Sequence, residues 1–301
     1  MFGHSSGLAV LFVVALFAAA VNGALGYGFS TLTVPIALLF FSNKILSPAL
    51  VLVEVAINAF VVAHNRASLA AIRTRALAII VGLVPGILIG SYLLTTTHPG
   101  WLKLCTYAAI LPLILLQASG FRRPIRAEHA AGVPLGLGVG ILYATTTISG
   151  PPLAVMLKNQ GIDQDEFRAA LGTIRGVEAV LTAIVFAFLG LYTSASVQLV
   201  VPIAPAVLIG LPLGAFLARF VNGETFRRVC MSFDAWVVGF GLARSLLGLK
   251  LLPAMGAYGI WAAVILIDLY LLHQYFVAGR FRPRPAGPAF PADAGGEASA
   301  G

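Results

Sequence analysis

The sequence predicts an all-α polytopic membrane protein built as an inverted repeat. Each half is read as a broken re-entrant helical hairpin plus three spans, with one extra C-terminal span. Three observations lead there. The 301 residues are 59% hydrophobic and only 10% charged, with mean hydropathy +0.95. A soluble chain of this size would have to show water an apolar surface, which folded domains avoid. Next, apolar runs of about 20 residues, enough to cross a ~30 Å hydrocarbon core, recur along the chain. Finally, two apolar segments are interrupted by hydroxyls followed by proline: Ser30-Thr31-Leu32-Thr33-Val34-Pro35 and Thr145-Thr146-Thr147-Ile148-Ser149-Gly150-Pro151-Pro152. A bilayer tolerates broken backbone only where protein or a water-lined cavity shelters it. Paired interruptions in corresponding places of two halves point to a transporter's binding site.

The elements follow in order. Residues 7–41 are too long for one span and hold the first break. Leu8 to Ala20 resembles a signal-peptide core, but no Lys or Arg precedes it and the apolar run continues to Leu25, so it is read as mature structure. Unbroken spans are expected at 45–63, 76–95 and 101–119. Residues 132–157 repeat the pattern of the opening segment, with the second break inside. Spans follow at 167–189, 197–218 and 226–247, then the extra one at 254–277. In both broken segments the arm after the break is too short to cross, so each is read as a hairpin that enters the membrane and returns.

Charge placement orients the chain. Arg66, Arg73 and Arg75 crowd one loop and place it in the cytoplasm. Counting from there puts Arg122, Arg123, Arg126, Lys158, Arg168, Arg219, Arg227, Arg228, Arg280, Arg282 and Arg284 inside, and leaves Lys44, Lys103, Arg244 and Lys250 outside. The bias holds only if the second hairpin does not cross, and that same count inverts the second half relative to the first. The expected organisation is therefore a first transmembrane repeat over 1–119, a basic cytoplasmic linker over 120–131 and a second repeat over 132–250. The extra helix occupies 251–279, and a disordered cytoplasmic tail rich in Pro, Gly and Ala occupies 280–301. This is an inner-membrane, multi-pass arrangement. The net charge of +8 is then loop charge that holds the topology rather than a nucleic-acid surface.

The repeat extends past the breaks. Gly82, Gly86 and Gly90 match Ala206, Gly210 and Gly214, a spacing of small residues that lets helices approach closely. Trp101-Leu102-Lys103-Leu104-Cys105 matches Phe226-Arg227-Arg228-Val229-Cys230. Cys105 and Cys230 show no metal-type spacing and are read as reduced packing residues.

These residues carry a resemblance. Gly23, Gly26 and Gly28 precede Pro35, with Ser47-Pro48-Ala49 entering the next helix. Gly136, Gly138 and Gly140 precede Pro151-Pro152, with Arg168-Ala169-Ala170-Leu171-Gly172-Thr173 following. Over about residues 7–250 the chain resembles the TauE/SafE family of sulfite-exporter-like membrane permeases. The resemblance implies a permease for sulfite, a sulfonate or a related organosulfur anion. Glu54 stands near where that family often has Thr or Ser, and Thr145, Thr146 and Thr147 replace part of its usual Gly run.

The candidate anion-binding residues are those of the breaks. Proline suits the first turn of a helix, where its missing N–H costs nothing. Pro35 and Pro152 are therefore expected to start the second arms. Free backbone N–H groups and the positive dipole end would then lie near mid-membrane. Ser30, Thr31 and Thr33, with Thr145, Thr146, Thr147 and Ser149, add hydroxyl donors. The plainer alternative is a pair of capped kinks whose hydroxyls bond their own helices.

Glu54, Arg175, Glu178 and Asp234 fall inside spans, where ionisable groups are costly and line cavities or pair. Arg175 and Glu178 share a helix face at i,i+3 and can pair with each other. Arg175 is the candidate anion ligand, and Glu54 and Glu178 are candidate proton carriers. A static Glu–Arg packing pair is the competing reading. Asp234 and Asp268 are assigned to packing or an interface. His64, His98, His129 and His273 have no metal spacing and are read as solvated, so neither a metal nor a cofactor is expected.

The leading reading is a secondary transporter of a small anion, working by alternating access around the two breaks in the lipid bilayer. Homo-oligomer formation is left open, and there is no nucleic-acid partner. The alternatives are an anion channel or a non-transporting membrane partner protein. With no Walker-type loop, ATP drive would need a separate subunit. An intramembrane enzyme ranks lower, since no two-His metal site or Ser–His pair is seen and the doubled break would go unexplained.

Overall fold

The computed structural model describes residues 4–64, 69–118, 128–158, 164–217, 220 and 223–277. The described residues form eleven α-helices and no strand. The first five are α1 (His4–Leu25), α2 (Phe29–Ala37), α3 (Asn43–His64), α4 (Leu69–Thr96) and α5 (Pro99–Ala118). The next five repeat the long–short–long–long–long order: α6 (Glu128–Thr146), α7 (Gly150–Lys158), α8 (Gln164–Phe188), α9 (Ser194–Leu217) and α10 (Gly223–Gly248). A single helix, α11 (Ala254–Phe276), closes the described chain.

Eight of these helices are long and apolar enough to cross a membrane: α1, α3, α4, α5, α8, α9, α10 and α11. Each span expected after the two broken segments has its helix. The apolar stretch Gly132–Thr146 of α6 is shorter. Arg73 and Arg75, expected in the first cytoplasmic loop, fall inside α4 instead, whereas Arg66 and the linker residues Arg122, Arg123 and Arg126 fall on 65–68 and 119–127. These two stretches, like the tail from 278, lie outside the described residues.

Apolar side chains gain little by leaving lipid, so helix association here depends on close contact. Glycine supplies that contact at two interfaces. α4 packs along α6 and α1 along α9. A Cβ added to Gly82 would sit 2.1 Å from the Val133 carbonyl oxygen, and one on Gly136 would sit 2.1 Å from that of Ile79. In the other pair, a Cβ on Gly214 would sit 1.8 Å from the Ala20 oxygen and one on Gly23 would sit 2.2 Å from that of Leu211. Backbones can meet this closely only where side chains are absent, as the small-residue spacing predicted.

The other principal pairings are α3 with α8, α5 with α10, α4 with α8, α3 with α9, α2 with α10 and α7 with α5. Exchanging α1–α5 for α6–α10 in order maps these pairings onto one another, whereas the contacts of α1 with α2 and of α3 with α6 have no comparable counterpart among the described residues. The helix α11 stands outside this exchange, held to α10 by Asp268, which accepts from Ser232 Oγ at 3.0 Å and Trp236 Nε1 at 2.9 Å. Asp268 thus has the interface role its sequence context suggested. Both cysteines are free thiols.

The first break lies earlier than proline placement predicts. The chain leaves α1 at Gly26 (φ 83) and enters α2 after Gly28 (φ 112), so Gly26-Tyr27-Gly28 form the interruption. Pro35 does not start α2 but sits inside it. The physical reason is that glycine adopts positive φ at little cost, so a glycine pair turns the chain before the proline is reached. The second break matches expectation. It spans Thr147 to Ser149, and Pro151 and Pro152 occupy the first turn of α7. Here Thr147 takes the left-handed conformation itself (φ 58). At nine residues each, α2 and α7 are ~13 Å long.

Candidate functional site

The two breaks meet in the interior. A Cβ on Gly150, the first residue of α7, would lie 3.6 Å from the Tyr27 ring in the other break. From this meeting point a buried serine, Ser30 on α2 and Ser149 just before α7, reaches a buried glutamate on the helix after each short one. Ser30 Oγ donates to Glu54 Oε1, and Ser149 Oγ donates to Glu178 Oε2 at 2.5 Å. Both glutamates are fully buried.

The glutamates differ in their further partners. Glu54 Oε2 accepts from the Tyr143 hydroxyl at 2.8 Å, and Glu54 Oε1 accepts from Arg175 Nη2 at 2.7 Å in an ion pair. Arg175 therefore pairs across helices, from α8 to Glu54 on α3. The i,i+3 pairing with Glu178 that the spacing allows does not form, because Glu178 turns to Ser149 in the second break. Glu178 Oε1 and Arg175 Nε have no hydrogen-bond partner among the described residues. Asn58, one turn beyond Glu54, donates from Nδ2 to the Arg175 carbonyl at 3.5 Å, at the limit of a hydrogen bond. The cluster thus joins α2, α3, α6 and α8 around one ion pair. Tyr143 was missed in the sequence, since an isolated tyrosine in an apolar run carries no signal.

The remaining break residues scatter. The Thr145 hydroxyl donates to the Ile141 and Leu142 carbonyls at 2.8 and 3.0 Å, and Thr146 donates to Leu142 at 2.6 Å. Thr147 donates to the Thr146 carbonyl at 2.6 Å. All three hydroxyls serve their own helix end, as in a capped kink. The Thr145 carbonyl, an orphan of the α6 terminus, accepts from Asn43 Nδ2 and Ser47 Oγ, both at 3.2 Å. Thr33 is different: its hydroxyl is buried with no hydrogen-bond partner among the described residues. Thr31 lines a small cavity with Gly28, Pro151 and Asp234. The Pro35 carbonyl accepts from the Tyr107 hydroxyl at 2.9 Å, and the Tyr107 ring lies where a side chain on Gly241 would be. Pro152 is half-buried in the first turn of α7.

A cavity of about 300 Å³ opens beyond the end of α2. Its wall carries His98, Lys103 and Arg244 and no acidic residue. Lys103 Nζ donates to the Leu38 carbonyl just past α2 at 2.5 Å. Lys103 and Arg244 are two of the four cations the charge bias leaves on the outside. They lie apart in sequence, so only the packing of α5 on α10 brings them together.

Among the described residues no three His, Cys, Asp or Glu side chains are grouped as for a metal ion. The comparisons with known proteins bear on the whole assembly. No curated protein and no solved structure matches the chain. The family model of the sulfite exporter TauE/SafE matches residues 11–242, which takes in both breaks, both glutamates and Arg175. A multi-pass helical membrane protein matched over most of its length, this chain belongs to the sulfite exporter TauE/SafE family of membrane transporters.

Proposed function

We propose that the protein is a secondary transporter of a small oxyanion, sulfite or a sulfonate, working by alternating access around the two breaks. The observation that carries this reading is the meeting of the breaks at Tyr27 and Gly150, each with a serine holding a buried glutamate. Two short helices that begin inside the protein direct backbone N–H groups and positive dipole ends at one interior region. Such a region can hold an anion without a fixed net charge, and so can release it.

In this reading the two five-helix sets are inverted repeats over 1–119 and 132–250, joined by the basic linker over 120–131. The extra helix at 251–279 and the tail from 280 lie outside the repeat. The hairpins α1–α2 and α6–α7 are re-entrant from opposite sides, in the cell's inner membrane, with the tail in the cytoplasm. The exchange symmetry of helix pairings and the Lys/Arg bias support this arrangement. Arg175 exchanges Glu54 for the anion during the cycle, and Glu54 or Glu178 takes a proton when it loses its partner. Thr33 adds an uncommitted hydroxyl. The cavity lined by His98, Lys103 and Arg244 is the outer vestibule, where positive potential concentrates the anion before it enters.

The deciding experiment uses purified protein in liposomes loaded with sulfite. Exchange of external labelled sulfite against the internal pool, saturable and absent from protein-free vesicles, is expected. A transporter shows stimulation by internal substrate (trans-stimulation), whereas conductive flux without it makes the protein a channel. If neither sulfite nor simple sulfonates move by any route, the transport reading is wrong for these anions. Single cysteines near Lys44 and near Lys158 should label from opposite sides. Labelling from one side would end the inverted-repeat arrangement.

A further inference from the structure

The cavity beside the breaks contains a carboxylate that the cluster around Glu54 does not use. Asp234, on α10, is 2% exposed, and both of its carboxylate oxygens lack a hydrogen-bond partner. The wall it shares includes Gly28 and Thr31 of the first break and Pro151 of the second, with Val21, Leu25, Leu32 and Met231 as apolar surroundings. The space is about 20 Å³, and the surface it shows is apolar.

We propose that Asp234 is a proton-binding site, loaded and unloaded during transport. This rests on the anion-transport reading for its role in coupling, but not for proton binding itself.

The argument is one of missing partners. A buried carboxylate normally has a cation or several donors, and Asp234 has neither among the described residues. A proton on one oxygen supplies what the site lacks. A metal ion would not, because a hard cation wants six or more oxygens and this wall offers, besides the carboxylate, little more than the hydroxyls of Thr31 and Tyr27.

The titratable groups that share the wall with Asp234 are Cys230, one turn earlier on α10, and Tyr27, between α1 and α2. The segments of α1, α2 and α7 in the wall contribute no charged side chain. On α5, which also packs against α10, Lys103 and Tyr107 line the separate basic cavity with Arg244. On α11, Asp268 is engaged with Ser232 and Trp236.

The coupling follows from charge. Ionised Asp234 repels an anion approaching the breaks, and protonated Asp234 does not. A proton taken from water on one side neutralises the carboxylate, the anion enters, and both leave on the other side. The carboxylate then returns empty and ionised, with no bond made or broken except the O–H.

Two measurements test this. The first is infrared difference spectroscopy of the purified, lipid-reconstituted protein between high and low pH, in H₂O and D₂O. A protonated-carboxyl band that grows on acidification and shifts in D₂O is expected in wild type and in Glu54→Gln and Glu178→Gln. The Asp234 share of that band is expected to be missing in Asp234→Asn, while the share of the other carboxyls remains. A band unchanged by Asp234→Asn, or no pH-dependent band in wild type, overturns the proposal. The second is sulfite and methanesulfonate accumulation driven by an inward proton gradient; the charge of methanesulfonate does not change over the pH range used. Wild type should accumulate anion severalfold above equilibrium, while Asp234→Asn should exchange anion but accumulate none. Equal accumulation by the variant removes the coupling role. If wild type moves neither anion but the Asp234 band still titrates, the transport reading fails and the proton site stands.

Discussion

Glu54 and Glu178 occupy corresponding helices, each receiving a serine from the start of the short helix before it or the residue just ahead of it, yet they are satisfied to very different degrees. Glu54 has Ser30, Tyr143 and Arg175; Glu178 has Ser149 and one unpartnered oxygen. The serine–glutamate contact recurs in both five-helix sets. The arginine and the tyrosine stand on one side only, and both come from the second set to Glu54 in the first. One ion pair therefore spans both halves, so any movement of one half against the other must strain or open it. The second glutamate is left free to change state at small cost.

The comparison breaks most readily at Glu54. Glu54→Gln strands the buried Arg175 guanidinium and should destabilise the protein by about 3–5 kcal/mol, the usual effect of breaking a buried pair. Glu178→Gln removes a half-satisfied carboxylate and should cost about 1 kcal/mol or less. Thermal unfolding in a single detergent, followed by tryptophan fluorescence, ranks the two. Equal effects would mean that the asymmetry around the ion pair has no energetic consequence.

The same assay separates packing from pairing for Arg175. Arg175→Gln alone should be destabilising, and Arg175→Gln combined with Glu54→Gln should recover part of the loss. If Arg175 also meets the anion, the double variant regains stability but not sulfite exchange. Recovery of both properties would make the arginine a packing residue only.

The glycine interfaces provide a control, because there the halves behave alike. Gly82→Ala and Gly214→Ala each drive a methyl into backbone and should cost about 1–3 kcal/mol apiece through forced separation of the helices. A large effect at one and none at the other would show that the two interfaces are not equivalent.

Smaller effects sharpen the contrast. Tyr143→Phe removes one of three partners from Glu54 and should cost about 1–3 kcal/mol. Thr33→Val removes a buried hydroxyl that has no partner, so stability should hold or rise slightly. Sulfite affinity should then fall if the hydroxyl meets the anion. Unchanged affinity in this variant, measured by isothermal calorimetry, would remove Thr33 from the site. The corresponding change Thr146→Val is a poorer probe, since that hydroxyl already serves the end of α6.

Apolarity, span length and small-residue spacing are local properties, and they determined the helices, the doubled break and the close contacts of α4 with α6 and α1 with α9. A chain this poor in charge has few alternatives to membrane helices, and glycine spacing limits which backbones can touch. The family was legible for the same reason, and the family model matches residues 11–242. The exact place of the first break was not legible, because Pro35 is a strong signal while the Gly26–Gly28 pair that turns the chain resembles ordinary membrane-helix glycine. Partner choice was decided only in three dimensions. Arg175 lies three residues from Glu178 but reaches Glu54, and Tyr143 gives no sign in sequence that it serves a carboxylate on another helix. Asp234 looked like a packing residue until its cavity and its missing partners were visible. Sequence spacing governs contacts within one helix, where geometry is fixed by the backbone. Contacts between helices depend on how the faces rotate against each other, and that is settled by packing the whole bundle.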